Sequence, residues 1–230
     1  MSTKISILIP TYNEAARIQD TLRHCAEVAE AEIIVVDGGS TDGTRKLARE
    51  SGVQVLVSSR GRGRQLNLAA SQARGDILLF LHADTYLPPD FPAHVVSALK
   101  NPHAVGGAFR LKIRGDSISL RLIELGVNIR SQIFRRPYGD QAIFLKAEVF
   151  KQLNGFREIP IMEDLDLVRR LSKIGRIVVV AAYATTSARR WNQLGPFKTT
   201  LINQVAIVAY SLGIPPARIA SFYHRKRFLP

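Results

Sequence analysis

Asp76-Ile77-Leu78-Leu79-Phe80-Leu81-His82-Ala83-Asp84-Thr85 decides how this chain folds. The five apolar residues from Ile77 to Leu81 are too few for a comfortable helix. They read as a strand buried on both faces, which a parallel sheet with helices on either side produces. The strand ends abruptly in two metal-capable side chains, His82 and Asp84. Open α/β sheets bind ligands in the crevice outside the carboxyl ends of their strands, so this pair is a site hypothesis. The alternative is a polar strand end facing water.

Upstream, the same pattern repeats. Ile5 to Ile9 is a strand stopped by Pro10, and Thr11-Tyr12-Asn13-Glu14 is a polar turn into a helix predicted from about Ala15 to Ala31. Ile33 to Val36 is the next strand. Asp37-Gly38-Gly39-Ser40-Thr41-Asp42-Gly43-Thr44 leads from it into a helix running to about Ser51. The spacing of this loop does not give G-x-G-x-x-G, and a carboxylate at Asp37 repels a pyrophosphate. It is well placed to accept a hydrogen bond from a base or ribose; an Asx-type turn with Ser40 or Thr41 capping the helix is the alternative.

Val53 to Ser58 is a third strand, and Arg60-Gly61-Arg62-Gly63-Arg64 reads as a mobile loop whose guanidiniums seek an anion. A helix from Gln65 to about Ala73 then reaches the Ile77 strand. Four strands alternating with three helical patterns give a parallel α/β architecture.

Composition bounds the function. Of 230 residues, 46% are apolar, enough for a real core in one large domain or two small ones. Lys and Arg number 32 against 19 Asp and Glu, a net charge of +13 that favours nucleic acid, phosphorylated small molecules or an anionic membrane surface. One cysteine, Cys25, excludes a disulfide framework and a cysteine-rich metal site, and a reducing cytosol is the simplest compartment. No run approaches the roughly 18 apolar residues of a spanning helix.

The strand-turn Ile7 to Glu14, the strand-loop Ile34 to Thr44 and the His82-Ala83-Asp84 strand end resemble family 2 glycosyltransferases, which have the GT-A fold and use nucleotide-activated sugars. The resemblance covers roughly residues 5 to 190. Within the family the chain looks most like short bacterial members found beside selenium or radical-SAM gene neighbourhoods, whose acceptor is undefined. The resemblance implies that Pro10, Thr11, Tyr12 and Glu14 line a nucleoside pocket with Gly39 and Ala83, that Asp37 bonds the base, and that Arg60 or Arg64 approaches the diphosphate. Asp84 matches the last position of the D-x-D metal motif, which holds Mn²⁺ or Mg²⁺ against the two phosphates. His82 replaces the first aspartate; histidine suits Mn²⁺ better than Mg²⁺.

The second half extends the pattern. A helix runs from Phe91 to about Lys100, and Ala104 to Ile113 is a strand whose Gly106-Gly107 pair marks a bulge or a close ligand. Ser117 to Phe134 is a basic amphipathic helix, either packed on the sheet with a solvated face or forming an acceptor or membrane surface. Pro137 to Phe144 resembles the family's return strand, with Asp140 and Gln141 as sugar contacts. Glu163 and Asp164 open a helix where the dipole alone favours acidic residues, and the resemblance makes the pair the source of the catalytic base. Ser187-Ala188-Arg189-Arg190-Trp191 partly resembles the Q-x-x-R-W motif of processive relatives. Ser187 in the glutamine position argues against chain synthesis, and Arg190 and Trp191 are expected to close over the diphosphate. No acidic residue follows Asp166, and residues 192–230 form a basic helical tail.

The expectation is one GT-A domain: residues 1–100 a nucleotide-binding half, 101–191 an acceptor and catalytic half, then the tail. It would act as an inverting transferase using a UDP-sugar, a divalent cation and an undefined acceptor, lipid-linked or membrane-associated, in the cytoplasm or peripheral on the inner membrane face. No nucleic-acid partner is expected. The rivals are a sugar-phosphate nucleotidyltransferase, whose Lys-containing phosphate loop is missing here, and a basic nucleic-acid or membrane-surface adaptor without enzymatic activity.

Overall fold

The computed structural model describes residues 3–28 and 31–227. Strands β1 (Ile5–Thr11), β2 (Glu32–Asp37), β3 (Gln54–Val57) and β4 (Ile77–Phe80) alternate with helices α1 (Ala15–Val28), α2 (Thr44–Glu50) and α3 (Arg62–Gln72). These strands pair in parallel in the order β3-β2-β1-β4. Side-chain alternation explains why both faces are apolar. Ile5, Ile7, Ile9, Ile77 and Leu79 join the cluster under α1, whereas Leu8, Leu78 and Phe80 join the one under α3.

The chain continues through β5 (Thr85–Tyr86), α4 (Phe91–Leu99), β6 (Ala104–Ile113), α5 (Ile118–Phe134), β7 (Phe144–Lys146), α6 (Ala147–Gln152), α7 (Glu163–Ile174) and β8 (Arg176–Thr186). β7 inserts antiparallel between β4 and β6, and β8 lies parallel to β6 with β5 antiparallel at the edge, giving one mixed, mostly parallel sheet. The tail forms α8 (Arg189–Leu194), α9 (Pro196–Ser211) and α10 (Pro216–Arg227). Ala206, Ile219 and Ala220 pack it onto Ile161, Met162 and Leu165 at the start of α7.

Two local expectations change. The Arg-Gly segment is no mobile loop, because α3 begins at Arg62, after Gly61 at φ 148. Gly63 lies inside this first turn, where a Cβ would fall 2.6 Å from the Arg157 carbonyl oxygen. The Gly106-Gly107 pair does mark an irregularity in the β6–β8 register, but what approaches it is protein. A Cβ on Gly107 would collide with the Phe144 ring and stand 2.6 Å from the Val178 carbonyl oxygen.

Candidate active site

The carboxyl ends of β1 and β2 carry the first part of the site. Asp37 is fully buried at the end of β2. Its Oδ2 accepts from the Gly39 and Ser40 N–H groups at 3.1 and 3.0 Å, while its Oδ1 has no partner among the described residues. The turn after β1 is fastened to this loop. The Asn13 N–H donates to Ser40 Oγ, the Glu14 N–H donates to Thr44 Oγ1, and Asn13 Oδ1 accepts from the Thr41 N–H.

These bonds hold Asn13 at φ 54 and leave the Tyr12 ring 37% exposed, with the Arg60 guanidinium 4.1 Å above it. Pro10 and Thr11 close the strand end, and Thr11 is buried with its Oγ1 toward the Val36 carbonyl. Gln65, which the sequence did not single out, clamps both strands: its Nε2 donates to the Thr11 and Val36 carbonyls at 2.9 and 2.8 Å.

The β4 strand end splits in two directions. Asp84 lies toward Arg189, whose Nη2 stands 3.8 Å from Asp84 Oδ2 and donates to Glu14 Oε1 at 2.8 Å. Burial, reinforced by the Glu14 carboxylate, raises the Asp84 pKa against the pull of Arg189. His82 lies instead toward Gly139 and Asp164: a Cβ on Gly139 would stand 3.1 Å from His82 Nε2 and 2.8 Å from Asp164 Oδ2. Burial and the Arg62 and Arg190 guanidiniums push His82 down to about 3, so its imidazole is neutral near pH 7. Ala83 between them is buried, its carbonyl held by Thr21 Oγ1.

The start of α7 supplies the acidic cluster. Glu163 is buried and paired with Arg62 Nε at 2.6 Å, and burial raises its pKa. Asp164, half-buried, accepts from the Gly139 N–H on Oδ2 and from the Leu165 N–H on Oδ1, both at 2.7 Å. A carboxylate has about four lone-pair sites, so accepting capacity remains. Asp140 sits alongside in the 3-10 turn Gly139–Gln141. Its Oδ1 is buried without a partner among the described residues, and burial raises its pKa. Arg190 acts electrostatically on His82, Asp84, Asp140 and Glu163 together.

Several sequence-stated residues serve the scaffold here. Arg64 is engaged by Glu158 at 2.9 Å and by Ser59, and Arg62, two positions earlier in α3, is the arginine that faces the acidic cluster. The Gln141 amide donates to the Phe109 carbonyl and Ser131 Oγ from the buried interior. Trp191 packs among Leu111, Ile113, Leu120 and Ile123. Gly106 and Gly107 lie in the sheet against Phe144 and Leu145. Glu14 is held by Arg17 and Arg189. In the sequence Arg62 stood out only as one of three loop guanidiniums and Arg189 only as part of Ser187–Trp191, and Gln65 carried no site signal; an earlier α3 start places the first, while the others depend on tertiary contacts.

The family model for glycosyl transferase family 2 matches residues 6–151, more than half of the chain. The chain belongs to glycosyl transferase family 2. With that membership, the family, and neither a nucleotidyltransferase nor a non-enzymatic adaptor, is the frame for the site. Among curated relatives, glycosyltransferase AglJ of Haloferax volcanii is 40% identical over 89 residues, 37% of this chain and 29% of the relative. The undecaprenyl-phosphate 4-deoxy-4-formamido-L-arabinose transferase of Pseudomonas aeruginosa is 29% identical over 179 residues, 69% of this chain and 52% of the relative. The chain thus spans about half the length of this relative or less.

Among solved structures, S. aureus TarS 1-349 in complex with UDP-GlcNAc superposes with a TM-score of 0.65 at 18% identity, covering 98% of this chain and 72% of that one. Glucosyl-3-phosphoglycerate synthase from Mycobacterium tuberculosis, in complex with Mn²⁺, UDP and phosphoglyceric acid, gives 0.61 at 21% identity, covering 93% and 80%. At such identities the likeness shows the shared GT-A fold.

Proposed function

We propose that this chain is an inverting glycosyltransferase that moves a sugar from a nucleoside-diphosphate sugar, a UDP-sugar before others, to the hydroxyl of a lipid-linked or membrane-associated acceptor. Asp164 carries the reading. It is the carboxylate of the acidic pair that remains accessible, held in place by two N–H groups, while Glu163 is buried against Arg62. As general base, Asp164 takes the acceptor proton while the acceptor oxygen forms a bond to the anomeric carbon and the nucleoside diphosphate leaves with the bonding electron pair. Arg190, whose charge acts on His82, Asp84, Asp140 and Glu163 together, is the guanidinium assigned to the charge of that departing group.

Asp37 supports the donor half of the reading: its free Oδ1 suits a donor N–H on a base edge, and Tyr12, with Arg60 stacked on its ring, stands partly exposed at the adjoining strand end. The solved neighbours named above bind UDP or UDP-GlcNAc in the same fold, which puts UDP first.

The donor set fits a cation that takes most of its ligands from diphosphate oxygens and water. Asp84 offers one carboxylate, and no group of three His, Cys, Asp or Glu side chains is arranged for a metal among the described residues. Mg²⁺ or Mn²⁺ bound at Asp84 would neutralise charge on the leaving diphosphate. His82, turned toward Asp164, contacts the transferred sugar instead.

The experiment compares Asp164→Asn with Glu163→Gln. Asp164→Asn loses roughly 10²-fold or more in turnover while keeping donor affinity, as removal of a general base requires. A fully active Asp164→Asn enzyme overturns the assignment.

A further inference from the structure

Helix α5 carries its apolar residues on the wrong side for a surface helix. Leu120, Ile123 and Ser131 face the protein and are buried. On the opposite side, at spacings of four and three, stand Ile118, Leu122, Leu125, Ile129 and Ile133, all exposed, with Ile118 at 79%. An ordinary amphipathic helix turns polar groups to water there. Helix α9 packs beside α5 and repeats the arrangement. Thr199 and Ala206 are buried, while Phe197, Leu201, Val205, Val208 and Leu212 form an exposed row reaching 78% at Leu212. Two adjacent helices with apolar outer rows exceed the scattered exposed side chains that every surface carries.

Charge selects the occupant. Arg135, Arg136, Lys198 and Arg218 are exposed at the ends of these helices or just beyond them, and no acidic residue follows Asp166 in the sequence. A second copy of a chain carrying +13 would bring like charges together around the apolar rows. An anionic bilayer surface meets both features at once, since apolar side chains enter the headgroup boundary while Lys and Arg contact anionic lipid.

We propose that the paired outer faces of α5 and α9 dock this protein on the surface of an anionic lipid leaflet, without any helix crossing it. Among the described residues no helix is long and apolar enough to cross. The inner sides of the same elements reach the site. Arg130 of α5 stacks 3.5 Å over Tyr138 beside Asp164, and α8, which leads into α9, carries Arg189 and Arg190. Docking therefore sets the acceptor side of the cleft at the bilayer surface. This deepens the proposed transfer to a lipid-linked acceptor, but docking itself does not depend on catalysis.

The test is co-sedimentation of the full chain with vesicles of phosphatidylcholine alone and with 30 mol% phosphatidylglycerol. A Leu125→Gln, Ile129→Gln, Leu201→Gln, Val205→Gln variant keeps the net charge and alters only exposed positions. Wild type is expected to bind the anionic vesicles at least tenfold more tightly than neutral ones, and the variant to lose at least tenfold of that binding. Its circular dichroism, melting temperature and UDP affinity should stay unchanged.

Absent binding by wild type, equal binding to neutral vesicles, or full binding by the variant overturns the proposal. So does a wild-type dimer in light scattering that the variant dissolves, because the rows would then be a subunit interface. Donor binding and transfer to a water-soluble acceptor are measured separately, so failed docking and a failed transferase assignment give different results.

Discussion

Replacing Arg62 with methionine tests how the acidic pair is held. The substitution keeps most of the stem that packs at the start of α3 and removes the guanidinium lying 2.6 Å from Glu163 Oε1. Breaking a fully buried ion pair by removing one partner costs about 3–5 kcal/mol, whereas an exposed pair is worth about 0–1 kcal/mol. Here Glu163 is 4% exposed and Arg62 37% exposed, so solvent already screens one side. Glu163 also opens α7, where the helix dipole returns up to about 1 kcal/mol to an anion. The net expectation is a loss of about 2 kcal/mol in urea unfolding at pH 7.5.

The pH dependence fixes the cause. Burial already raises the Glu163 carboxyl above its usual 4.5, and losing Arg62, which opposes that shift, raises it further. A carboxyl with a raised folded-state pKa costs nothing below its unfolded value, where it is protonated in both states. The cost grows as pH rises through the folded value. The deficit of Arg62→Met relative to wild type should therefore shrink on acidification toward pH 4.5, and Glu163→Gln in the same background should recover most of it. A deficit below about 0.5 kcal/mol, or one that does not change with pH, refutes the reasoning.

Other substitutions probe neighbouring contacts. Gly139→Ala places a methyl 2.8 Å from Asp164 Oδ2 and 3.1 Å from His82 Nε2, so it should lower kcat about tenfold or more while leaving donor affinity intact, measured by steady-state kinetics and calorimetry. Gln65→Leu removes one buried donor from each of the Thr11 and Val36 carbonyls, which keep the Gly38 N–H and Thr11 Oγ1 respectively, and should cost about 1–3 kcal/mol by denaturant titration, at about 0.5–1.5 kcal/mol per hydrogen bond lost. Burial pushes the Cys25 thiol up to about 12, so Ellman's reagent should label it no faster than the chain unfolds.

The strands were legible because burial on both faces writes an apolar run into the sequence, and Ile77–Phe80 appears where that run predicts it. Asp37, Asp84 and Asp164 stood out in the sequence as polar residues that interrupt the pattern near a strand end or helix start, and the roles assigned to them came from the family resemblance. Arg64 misled, since an Arg-Gly repeat looks like a loop; once α3 begins at Arg62, residues two positions apart leave the helix in different directions, and Arg64 meets Glu158. Gly107 looked like a ligand contact because sequence shows only that a side chain is excluded, and the excluding group is Phe144. The outer rows of α5 and α9 were visible as apolar positions in the sequence, but which side of each helix faces solvent follows only from the packing.

The donor pocket is tested most directly by isothermal titration of UDP-sugars, with GDP- and dTDP-sugars as comparators, in the presence of Mg²⁺ or Mn²⁺, using wild type and Asp37→Ala. Asp37 Oδ1 is buried and unpartnered among the described residues. A hydrogen bond from the base to this carboxylate is worth about 1.5–3 kcal/mol, so Asp37→Ala should weaken the preferred donor by about 10- to 150-fold. Saturable binding of one nucleoside-diphosphate sugar by wild type, weakened to that extent in the variant, is the expected result. No saturable binding by wild type, or an unchanged dissociation constant in Asp37→Ala, contradicts the account.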